Sequence, residues 1–386
     1  DPGTGYFLMR LENLRLLHFR NYEQVSIPLG HNITIFYGDN AQGKTNLLEG
    51  IHTAARGFSF RTRHEEELPS FGAEEWAAEL QYRDRYGSSR LLVKRYPVRG
   101  RMKKENLLNG NPVTPREQYG LVNLVLFTPD DLQLVKGDPA LRRKFLDMEI
   151  AQVSPVYYDL LAQYNRVLQQ RNRFLKQCRD REKLEEAQLL VWDGALAQLA
   201  AGILDHRLQA LSGILQAARQ VYDGITGTQE ALTLSYVQKR GDGEETVREN
   251  PGPGAWEGFY REQLRLRHRL DYLRGYTSLG PHRDDLEIFH EGRPLRAYGS
   301  QGQQRTAALA LKLSELEFIR SVREEYPVLL LDDVLSELDQ HRREKLLGFI
   351  NGTVQTFLTV NDRHLATVDG DVAAYRVREG RLEETP

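Results

Sequence analysis

The sequence predicts an α/β fold in which a mostly parallel core sheet is interrupted by an inserted, mainly helical lobe. Strand-like and helix-like segments alternate near both ends of the chain. Between them, apolar residues recur at helical spacing over several long stretches. We therefore expect one domain built from residues 9–138 and 276–386, and an inserted lobe built from residues 139–275.

Short segments with alternating apolar residues predict the strands in the first part of the core domain. Three of them, LRLLHF, QVSIPL and NITIFY, lie between residues 14 and 37. A helix is predicted from about Lys44 to Arg56. Residues 76–109 have the pattern of β-hairpins, and LVNLVLFTP at residues 121–129 is typical of a buried strand.

The sequence also predicts the secondary structure of the lobe and of the segments that follow it. The charge-rich QCRDREKLEEA at residues 177–187 predicts a turn between two antiparallel helices, and residues 255–275 predict one basic helix. After the lobe, DDLEIFHEGRPL predicts a hairpin and QQRTAALALKLSELEFI a strong helix. PVLLLDDV and TVQTFLTV predict two buried strands of the core sheet.

Composition excludes several classes of protein. Of the 386 residues, 40% are apolar and 27% charged, as in ordinary globular proteins. Because Cys178 is the single cysteine, an intramolecular disulfide and a cysteine metal cluster are excluded, which fits a reducing cytoplasm. No apolar run is predicted to span a membrane, and no signal peptide is visible. The first eight residues, DPGTGYFL, are expected to be an unstructured leader or a tag, with Met9 as a native start.

The charges are unevenly distributed although the net charge is only −2. Residues 81–110 contain nine Lys or Arg and two acidic residues, a local charge of +7, whereas residues 65–80 contain six Glu and no base. The basic segment is one candidate surface for nucleic-acid phosphates. The other interpretation is that the two segments neutralise each other, and both remain open.

A glycine-rich loop follows the strand NITIFY. The residues GDNAQGKT have the spacing of a phosphate-binding loop between a strand and a helix. Its two glycines would let the backbone pass close to phosphate oxygens, at a helix N-terminus that favours anions. Lys44 would reach the β- and γ-phosphates, and Thr45 would hold Mg²⁺. The predicted nucleotide-binding residues of the loop are Gly38, Asp39, Asn40, Ala41, Gln42, Gly43, Lys44 and Thr45.

A P-loop also needs a carboxylate on a neighbouring strand. In YPVLLLDDVLSELD, the apolar run before Asp332 would place this residue at the carboxyl end of a buried strand, where it would contact Mg²⁺ through water. Binding alone needs no second acid, so Asp333 is predicted to orient or deprotonate the water that attacks phosphorus. Lys44 and Asp332 lie 288 residues apart (332 − 44), which argues against small GTPases and nucleoside kinases.

A second candidate anion site lies in YGSQGQQR, where a strong helix begins. Ser300 and Gln303 have the spacing of a capping box, which is an ordinary helix start. Gly299 and Gly302 would in addition expose backbone N–H groups beside the Ser300 hydroxyl, and such a group of donors can bind an anion. Two anion sites in one chain suggest a γ-phosphate held between two subunits, each of which contributes one site.

These motifs resemble those of a known family. GSQGQQR is similar to the signature motif of ABC ATPases in the variant of the structural-maintenance-of-chromosomes (SMC) group. LLLDDVLSELD resembles that group's Walker B motif followed by its D-loop, Ser336–Asp339. Asp333, in place of the usual glutamate, is a pattern shared with the RecF family of DNA repair proteins. LLHFRNY, VLFTPDDLQLVKGDPALRRKFLD and GPHRDDL resemble RecF proteins specifically.

The resemblance implies an ABC-type ATPase head with ATP and Mg²⁺ as ligands. It implies Lys44 and Asp333 as catalytic residues and Thr45 and Asp332 at the metal. It also implies a cytoplasmic, ATP-dependent homodimer that binds gapped DNA, hydrolyses ATP slowly and in a DNA-stimulated way, and acts in recombination, replication and the SOS response. RecR and RecO are the implied partners in loading RecA, and no membrane partner is expected. The nucleotide would also contact Arg20 and, from the second subunit, Ser300, Gly302 and Gln303.

Two departures limit what the resemblance implies. ABC ATPases commonly carry a histidine after the strand that follows Walker B, but the segment FLTVNDRH offers Asn361 and His364 there. The Q-loop glutamine is equally unassigned, with Asp130, Asp131 and Gln133 as candidates. For GPHRDD, a turn and a His-Asp-Asp metal site are both open.

Two other functions share some of these features. A nucleotide-binding subunit of a membrane transporter has the same two loops, but the helical lobe, the basic hairpins and the absence of an assignable switch histidine argue against it. A monomeric P-loop kinase or NTPase would not need the second anion site.

Overall fold

The computed structural model describes residues 7–227, 232–240 and 243–385. Its strands are β1 (Phe7–Leu8), β2 (Arg10–Phe19), β3 (Tyr22–Pro28), β4 (Ile33–Tyr37), β5 (Trp76–Asp84), β6 (Gly87–Val98), β7 (Arg101–Leu108), β8 (Asn111–Pro112), β9 (Leu124–Phe127), β10 (Leu232–Arg240), β11 (Gly243–Val247), β12 (Asp285–His290), β13 (Arg293–Pro294), β14 (Glu325–Tyr326), β15 (Val328–Asp332), β16 (Thr356–Val360), β17 (Val372–Arg378) and β18 (Arg381–Thr385).

The helices are α1 (Lys44–Arg56), α2 (Pro115–Tyr119), α3 (Pro139–Val153), α4 (Pro155–Asp180), α5 (Glu186–Thr226), α6 (Pro253–Leu266), α7 (His268–Arg274), α8 (Leu295–Tyr298), α9 (Gln301–Arg323) and α10 (Gln340–Ile350). Short 3₁₀ helices cover Glu65–Glu67, Pro129–Gln133, Leu335–Glu337 and Arg363–Ala366. These elements form two compact units. The first unit comprises Asp1–Leu132, Gly224–Thr226 and Lys312–Pro386, and the second comprises Gln133–Asp223 and Gly227–Leu311.

The first unit contains the predicted core sheet, whose strand order is β18-β17-β4-β16-β15-β9. All neighbouring strands are parallel except β17 and β18. The apolar strand β15 is buried over Val328–Leu331, as a central parallel strand covered on both faces must be. The mixed α/β fold with a mostly parallel core sheet is therefore confirmed.

Helix α1 is the centre of the first unit's hydrophobic core. A second, antiparallel sheet has the order β3-β2-β5-β6-β7-β8. Leu47, Leu48 and Ile51 of α1 are fully buried in one cluster with Leu14 of that sheet and Phe357 of the core sheet. Because α1 contacts both sheets, the loop that precedes it is held against a rigid base.

The expectation of an unstructured leader is wrong for its last two residues. Phe7 and Leu8 pair in parallel with Glu325 and Tyr326, so backbone hydrogen bonding fixes them in the first unit. Two apolar residues beside Met9 carry no local sign of a distant strand partner. The remaining predicted leader residues, 1–6, lie outside the described residues.

The second unit combines the predicted helices with an antiparallel sheet of order β11-β10-β12-β13. The predicted DDLEIFHEGRPL hairpin is confirmed as β12 and β13, but β12 also pairs along its length with β10 of the lobe. Residues 276–311 therefore group with the helices, whereas the sequence placed them in the core domain. Pairing between strands about 50 residues apart leaves no local sequence signal. The predicted basic helix over 255–275 is two helices, which break at Arg267.

Helix α5 corrects one exclusion made from the sequence. By length and composition alone it is long and apolar enough to cross a membrane. Two of its charged residues, Asp193 and Arg207, are buried in ion pairs with Arg171 and Asp147 of the same unit. Charged residues paired in this way are typical of a helix that packs inside a protein lobe.

Candidate nucleotide site

The P-loop connects the end of β4 to the start of α1, as predicted. Its glycines are required by geometry, because Gly38 and Gly43 have φ angles of 143° and 111°. A Cβ on Gly38 would lie 2.5 Å from the carbonyl oxygen of Val377, and one on Gly43 would collide with the Asn21 amide. Ala41 is also left-handed, with φ 61°. The loop therefore has the tight path around a concavity that phosphate binding needs.

Neighbouring turns brace this loop from outside. The backbone carbonyl of Gln42 accepts hydrogen bonds from the Asn21 side chain at 3.0 Å and from the Gly380 N–H at 3.3 Å. The Gln42 side-chain oxygen accepts from the Glu379 N–H at 2.8 Å. The Tyr22 hydroxyl donates to the Gly43 carbonyl at 3.0 Å. Asp39, Asn40 and Ala41, at the tip of the loop, are exposed.

Lys44 lies at the mouth of the loop. Its ammonium donates to the carbonyls of Gly38 and Asp39 at 2.5 and 2.8 Å, and to the side-chain oxygen of Asn361 at 3.0 Å. Burial lowers the pKa of Lys44, while the nearby carboxylates of Asp333, Asp39 and Asp332 oppose that shift. These contacts hold the Lys44 ammonium against the backbone of the loop, where the motif predicts the β- and γ-phosphates.

Thr45 and Asp332 meet at the carboxyl edge of the core sheet. The Thr45 hydroxyl donates to Asp332 Oδ1 at 2.8 Å, and the Thr359 hydroxyl donates to the same oxygen at 2.9 Å. Burial raises the pKa of Asp332, although both hydroxyl hydrogen bonds favour its ionised form. A hydroxyl and a carboxylate at this separation suit adjacent ligands of Mg²⁺, which prefers oxygen and octahedral geometry with bonds of about 2.1 Å.

The next acid along the chain, Asp333, has an unusual backbone. Its φ angle of 52° is left-handed, which is strained for a residue other than glycine. Its N–H donates to the Thr359 hydroxyl at 2.9 Å, and its carboxylate accepts from the Ser336 hydroxyl at 2.6 Å. The carboxylates of Asp332 and Asp333 thus have different partners, Thr45 and Thr359 for the first and Ser336 for the second.

Arg20 lies beside the P-loop, in an ion pair. Its guanidinium makes two hydrogen bonds, at 2.9 and 2.6 Å, to the fully buried Glu49 of α1. An open cavity of about 560 Å³ next to it is lined by residues that include Asn21, Asn46 and the fully exposed Phe71. The contact of Arg20 with an α-phosphate stays a prediction, and the structure adds that Glu49 already binds this side chain.

The predicted signature residues lie at the start of α9, in the second unit. The Ser300 hydroxyl accepts from the Gln303 N–H at 3.2 Å, and the Gln303 side chain accepts from the Ser300 N–H at 2.9 Å. This is the capping box expected from the spacing. The Gly302 carbonyl accepts from the Thr306 hydroxyl at 2.9 Å. Whether these residues bind an anion stays a prediction.

GPHRDDL lies in a buried polar network of the second unit. The Tyr236 hydroxyl donates to Asp284 at 2.9 Å, and Nδ1 of His282 lies 2.6 Å from the Tyr164 hydroxyl. Burial raises the pKa of Asp284 to about 7 and lowers that of His282 to about 3. Arg207 bonds the Pro281 carbonyl at 2.9 Å. In the described part of the chain no cluster of three or more His, Cys, Asp or Glu could hold a metal ion, so the structure does not support a metal site here.

Many of the bases in residues 81–110 have acidic partners. Glu105 pairs with Lys94 at 2.8 Å and with Lys103 at 2.6 Å, and these contacts hold its pKa down to about 2. Glu65, from the acidic segment, pairs with Lys104 at 2.7 Å. The two segments thus neutralise each other in part, which was one of the two interpretations of the sequence.

The tip of the β6–β7 hairpin differs from the rest of the basic segment. Arg99 and Gly100 form its two-residue turn, with φ angles of 49° and 74°. Arg99 and Arg101 are exposed. Within the ranges that the structure describes, neither arginine is in an ion pair. Three exposed bases of this segment, Arg85, Arg99 and Arg101, are outside the ion pairs of the described residues, and two of the three lie at the tip.

Comparison with known proteins identifies the family. A sequence model of the RecF/RecN/SMC N terminal domain matches residues 10–382. The DNA replication and repair protein RecF of Enterococcus faecalis is 40% identical over 382 residues, which cover 97% of this chain and 99% of that protein. The chain belongs to the RecF family. RecF of Heliobacterium modesticaldum is 38% identical over 384 residues and is covered completely.

Solved structures agree with the RecF assignment. A structure of the recombination mediator protein RecF with ATP, from the RecFOR pathway, has a TM-score of 0.87 and 33% identity, with complete coverage of both chains. The Smc head domain of Pyrococcus furiosus bound to part of ScpA has a TM-score of 0.56 at 16% identity, and it shares the fold. The resemblance to RecF proteins and to SMC heads that the motifs indicated is confirmed.

The sequence missed two residues of this site and one contact. Thr359 and Glu49 contact Asp332 and Arg20, but each is an ordinary residue of its segment. Ser336 was predicted as the first residue of the D-loop, but its contact with Asp333 was not. Thr359 lies next to Asp332 only because β16 pairs with β15, and no single segment of the sequence predicts that pairing. Asn361 had a sequence signal, because it follows β16 where related ATPases carry their switch residue.

Proposed function

We propose that this protein is an ATP-dependent, DNA-binding ATPase of recombinational repair. The observation that carries the proposal is the meeting of Lys44, Thr45 and Asp332 at one edge of the core sheet, in a chain of the RecF family. A relative was solved with ATP as a recombination mediator of the RecFOR pathway. In this proposal residues 9–138 and 276–386 act together as the ATPase head, as the resemblance implies, although residues 276–311 group with the helical unit.

The nucleotide would bind along the P-loop. Its backbone N–H groups and Lys44 would hold the β- and γ-phosphates. The cavity beside Asn46, the residue after Thr45, would receive the ribose and base, with Phe71 at its rim. Thr45 and Asp332 would hold Mg²⁺, which when bound neutralises charge that builds up on the phosphates. Asp333 would orient the attacking water and accept its proton.

A second copy of the chain would complete the site. The first turn of α9 places the Ser300 hydroxyl at a helix N-terminus, where an anion is favoured, and Gly302 adds no side chain there. We propose that this turn binds the γ-phosphate held by the P-loop of the partner copy. ATP would thereby favour a homodimer, and hydrolysis would release it. A weak, DNA-stimulated ATPase is the expected activity.

DNA would bind through its phosphates. Arg99 and Arg101, at the tip of the β6–β7 hairpin, are the first candidates within residues 81–110, because the bases around them are largely paired with acids. Junctions of single and double strands at gaps are the proposed DNA structure. RecR and RecO are the proposed partners for loading RecA, and we expect the protein to act in the cytoplasm.

The two alternative functions are not favoured. Family membership argues against a transporter subunit. The relatives are DNA replication and repair proteins, and they match nearly the full length of this chain. A signature motif at the start of α9 acts between two subunits, so a monomeric P-loop NTPase would not need it. Association in response to ATP distinguishes the proposal from the second alternative.

Sedimentation tests the proposal directly. The full chain is run with no nucleotide, with ADP and with a slowly hydrolysed ATP analogue, each with and without gapped duplex DNA. We expect a monomer with ADP, a dimer with the analogue, and co-sedimentation of the dimer with DNA. A monomer under all conditions, or a dimer that does not co-sediment with DNA, would contradict the proposal.

A further inference from the structure

One buried side chain lies in the corner between α8 and α9. Gln304, four residues after Ser300, belongs to the start of α9, and only 9% of its surface is exposed. Its amide nitrogen donates to the carbonyls of Leu295 and Arg296 at 3.1 and 3.4 Å, and to the Gly299 carbonyl at 3.2 Å. The amide thus ties the start of α9 both to α8 and to the residue directly before Ser300.

The Gln304 amide supplies donors that α8 needs. Because α8 has only four residues, its carbonyls have few partners within the helix. The Gly299 N–H donates to the Leu295 carbonyl at 3.0 Å, and the Gln304 amide adds a second donor to the same oxygen. This second contact is buried. A side chain without donors at position 304 would leave the carbonyls with fewer partners away from water, which is unfavourable.

The corner leaves little room for another arrangement. A Cβ on Gly299 would lie 2.7 Å from the Leu295 carbonyl oxygen and 3.5 Å from Cγ of Gln304. Leu295 is itself buried, and α8 packs against β12 and β13. Two hydrogen bonds from Arg142 of α3, at 2.8 and 2.9 Å, hold the Asp285 carboxylate at the start of β12. The second unit therefore fixes α8, and Gln304 fixes the start of α9 to α8.

We propose that Gln304 is a positioning residue of the signature motif. It holds the turn that contains Ser300 where this turn meets the nucleotide of the partner copy. The capping box cannot do so, because Ser300 and Gln303 bond each other within one turn and set its shape rather than its place. The inference rests on the proposed ATP-dependent dimer, and it adds a residue that acts through Ser300 without touching the nucleotide.

The first test separates nucleotide binding from catalysis. Gln304→Met keeps the length of the side chain and removes both N–H donors. The affinity for ADP should stay as in the wild type, because the P-loop that binds it belongs to the first unit. The kcat for ATP should fall about 10²-fold, as expected when a reacting group is misplaced by about 1 Å. Gln169→Met, at an exposed glutamine of α4, is the matched control and should change neither value.

A mixture of two weakened variants distinguishes positioning from misfolding. Gln304→Met keeps its P-loop, and Lys44→Met keeps its signature turn. In a mixed dimer, one of the two sites combines the intact half of each chain. The mixture should therefore hydrolyse ATP about tenfold faster than either variant alone. A mixture of Gln304→Met with Ser300→Arg, which are both altered in the same half of the site, should show no gain.

The outcomes distinguish the inference from the function on which it rests. A wild type that does not associate with ATP would contradict the proposed function. If the wild type does associate, any of three results overturns the inference alone. These are an unchanged kcat in Gln304→Met, a parallel loss of ADP affinity in this variant, and no gain in its mixture with Lys44→Met.

Discussion

The hydroxyl of Thr45 donates to the carboxylate of Asp332 at 2.8 Å, although 287 residues separate the two in the chain. Thr45 opens α1, and Asp332 ends β15. Since β16 lies between β4 and β15 in the core sheet, its Thr359 hydroxyl reaches the same carboxylate. Side chains from three distant segments thus meet at one oxygen atom, and this arrangement predicts how the proposed metal site responds to mutation.

Thr359→Val should weaken Mg²⁺ binding to the ATP complex by about tenfold, because the hydroxyl orients and stabilises the Asp332 carboxylate. Titration of Mg²⁺ into the protein with a fluorescent ATP analogue measures this. The matched control is Thr34→Val, a buried threonine on β4 whose hydroxyl has no hydrogen-bond partner among the described residues. Similar Mg²⁺ affinities in the two variants would show that Thr359 has no role at the metal.

Lys44→Met should abolish dimerisation by ATP, since the loop loses the only cation that contacts its carbonyls within the described residues. Asp333→Asn should instead keep ATP binding and dimerisation and lower kcat by 10²-fold or more, as for loss of a general base. Sedimentation and phosphate release distinguish the two. Lys345→Met, an exposed lysine on α10, is the control. If Asp333→Asn lost dimerisation as fully as Lys44→Met, the role assigned to Asp333 would be wrong.

The sequence predicted those parts of the site that depend on neighbouring residues in one segment. GDNAQGKT predicts its own turn, because the left-handed glycines are needed within the loop itself. The apolar run before Asp332 likewise predicts a buried strand that ends there. The contacts of Asn361 and Thr359 depend on strand order, which residues in one segment do not determine. For the same reason the sequence placed β12 in the core domain, whereas in the structure β12 pairs with β10 of the second unit.

Arg99→Ala combined with Arg101→Ala should weaken DNA binding and flatten its dependence on salt. Each phosphate contact that is lost should reduce the slope of log K against log salt by about 0.9. The control is Lys94→Ala with Lys103→Ala, which removes equal charge from bases that already pair with Glu105. Affinity for gapped duplex at several salt concentrations measures both. A larger loss in the control pair would place the DNA surface on the face of the sheet.

The stability of Asp284→Asn, measured relative to that of the wild type, should increase as the pH rises from 5 to 8. Burial raises the pKa of Asp284 to about 7, above the value of about 3.9 in an unfolded chain. Between these values the folded protein holds a proton that the unfolded chain has released, so the wild type loses stability as pH rises. Asparagine removes this titration and still accepts from Tyr236. Over this pH range the stability difference between variant and wild type should shift by about 1–3 kcal/mol.

Urea unfolding of both chains at pH 5 and pH 8 measures this difference. Taking the difference cancels every other group that titrates equally in the two proteins, including His282 in the same network. Asp369→Asn, at an exposed carboxylate, serves as the control. The opposite outcome, in which Asp284→Asn destabilises the protein more at pH 8 than at pH 5, would mean that an ionised Asp284 is stabilised by the buried Arg207. In that case Asp284 would be ionised and paired with Arg207 of α5 rather than protonated.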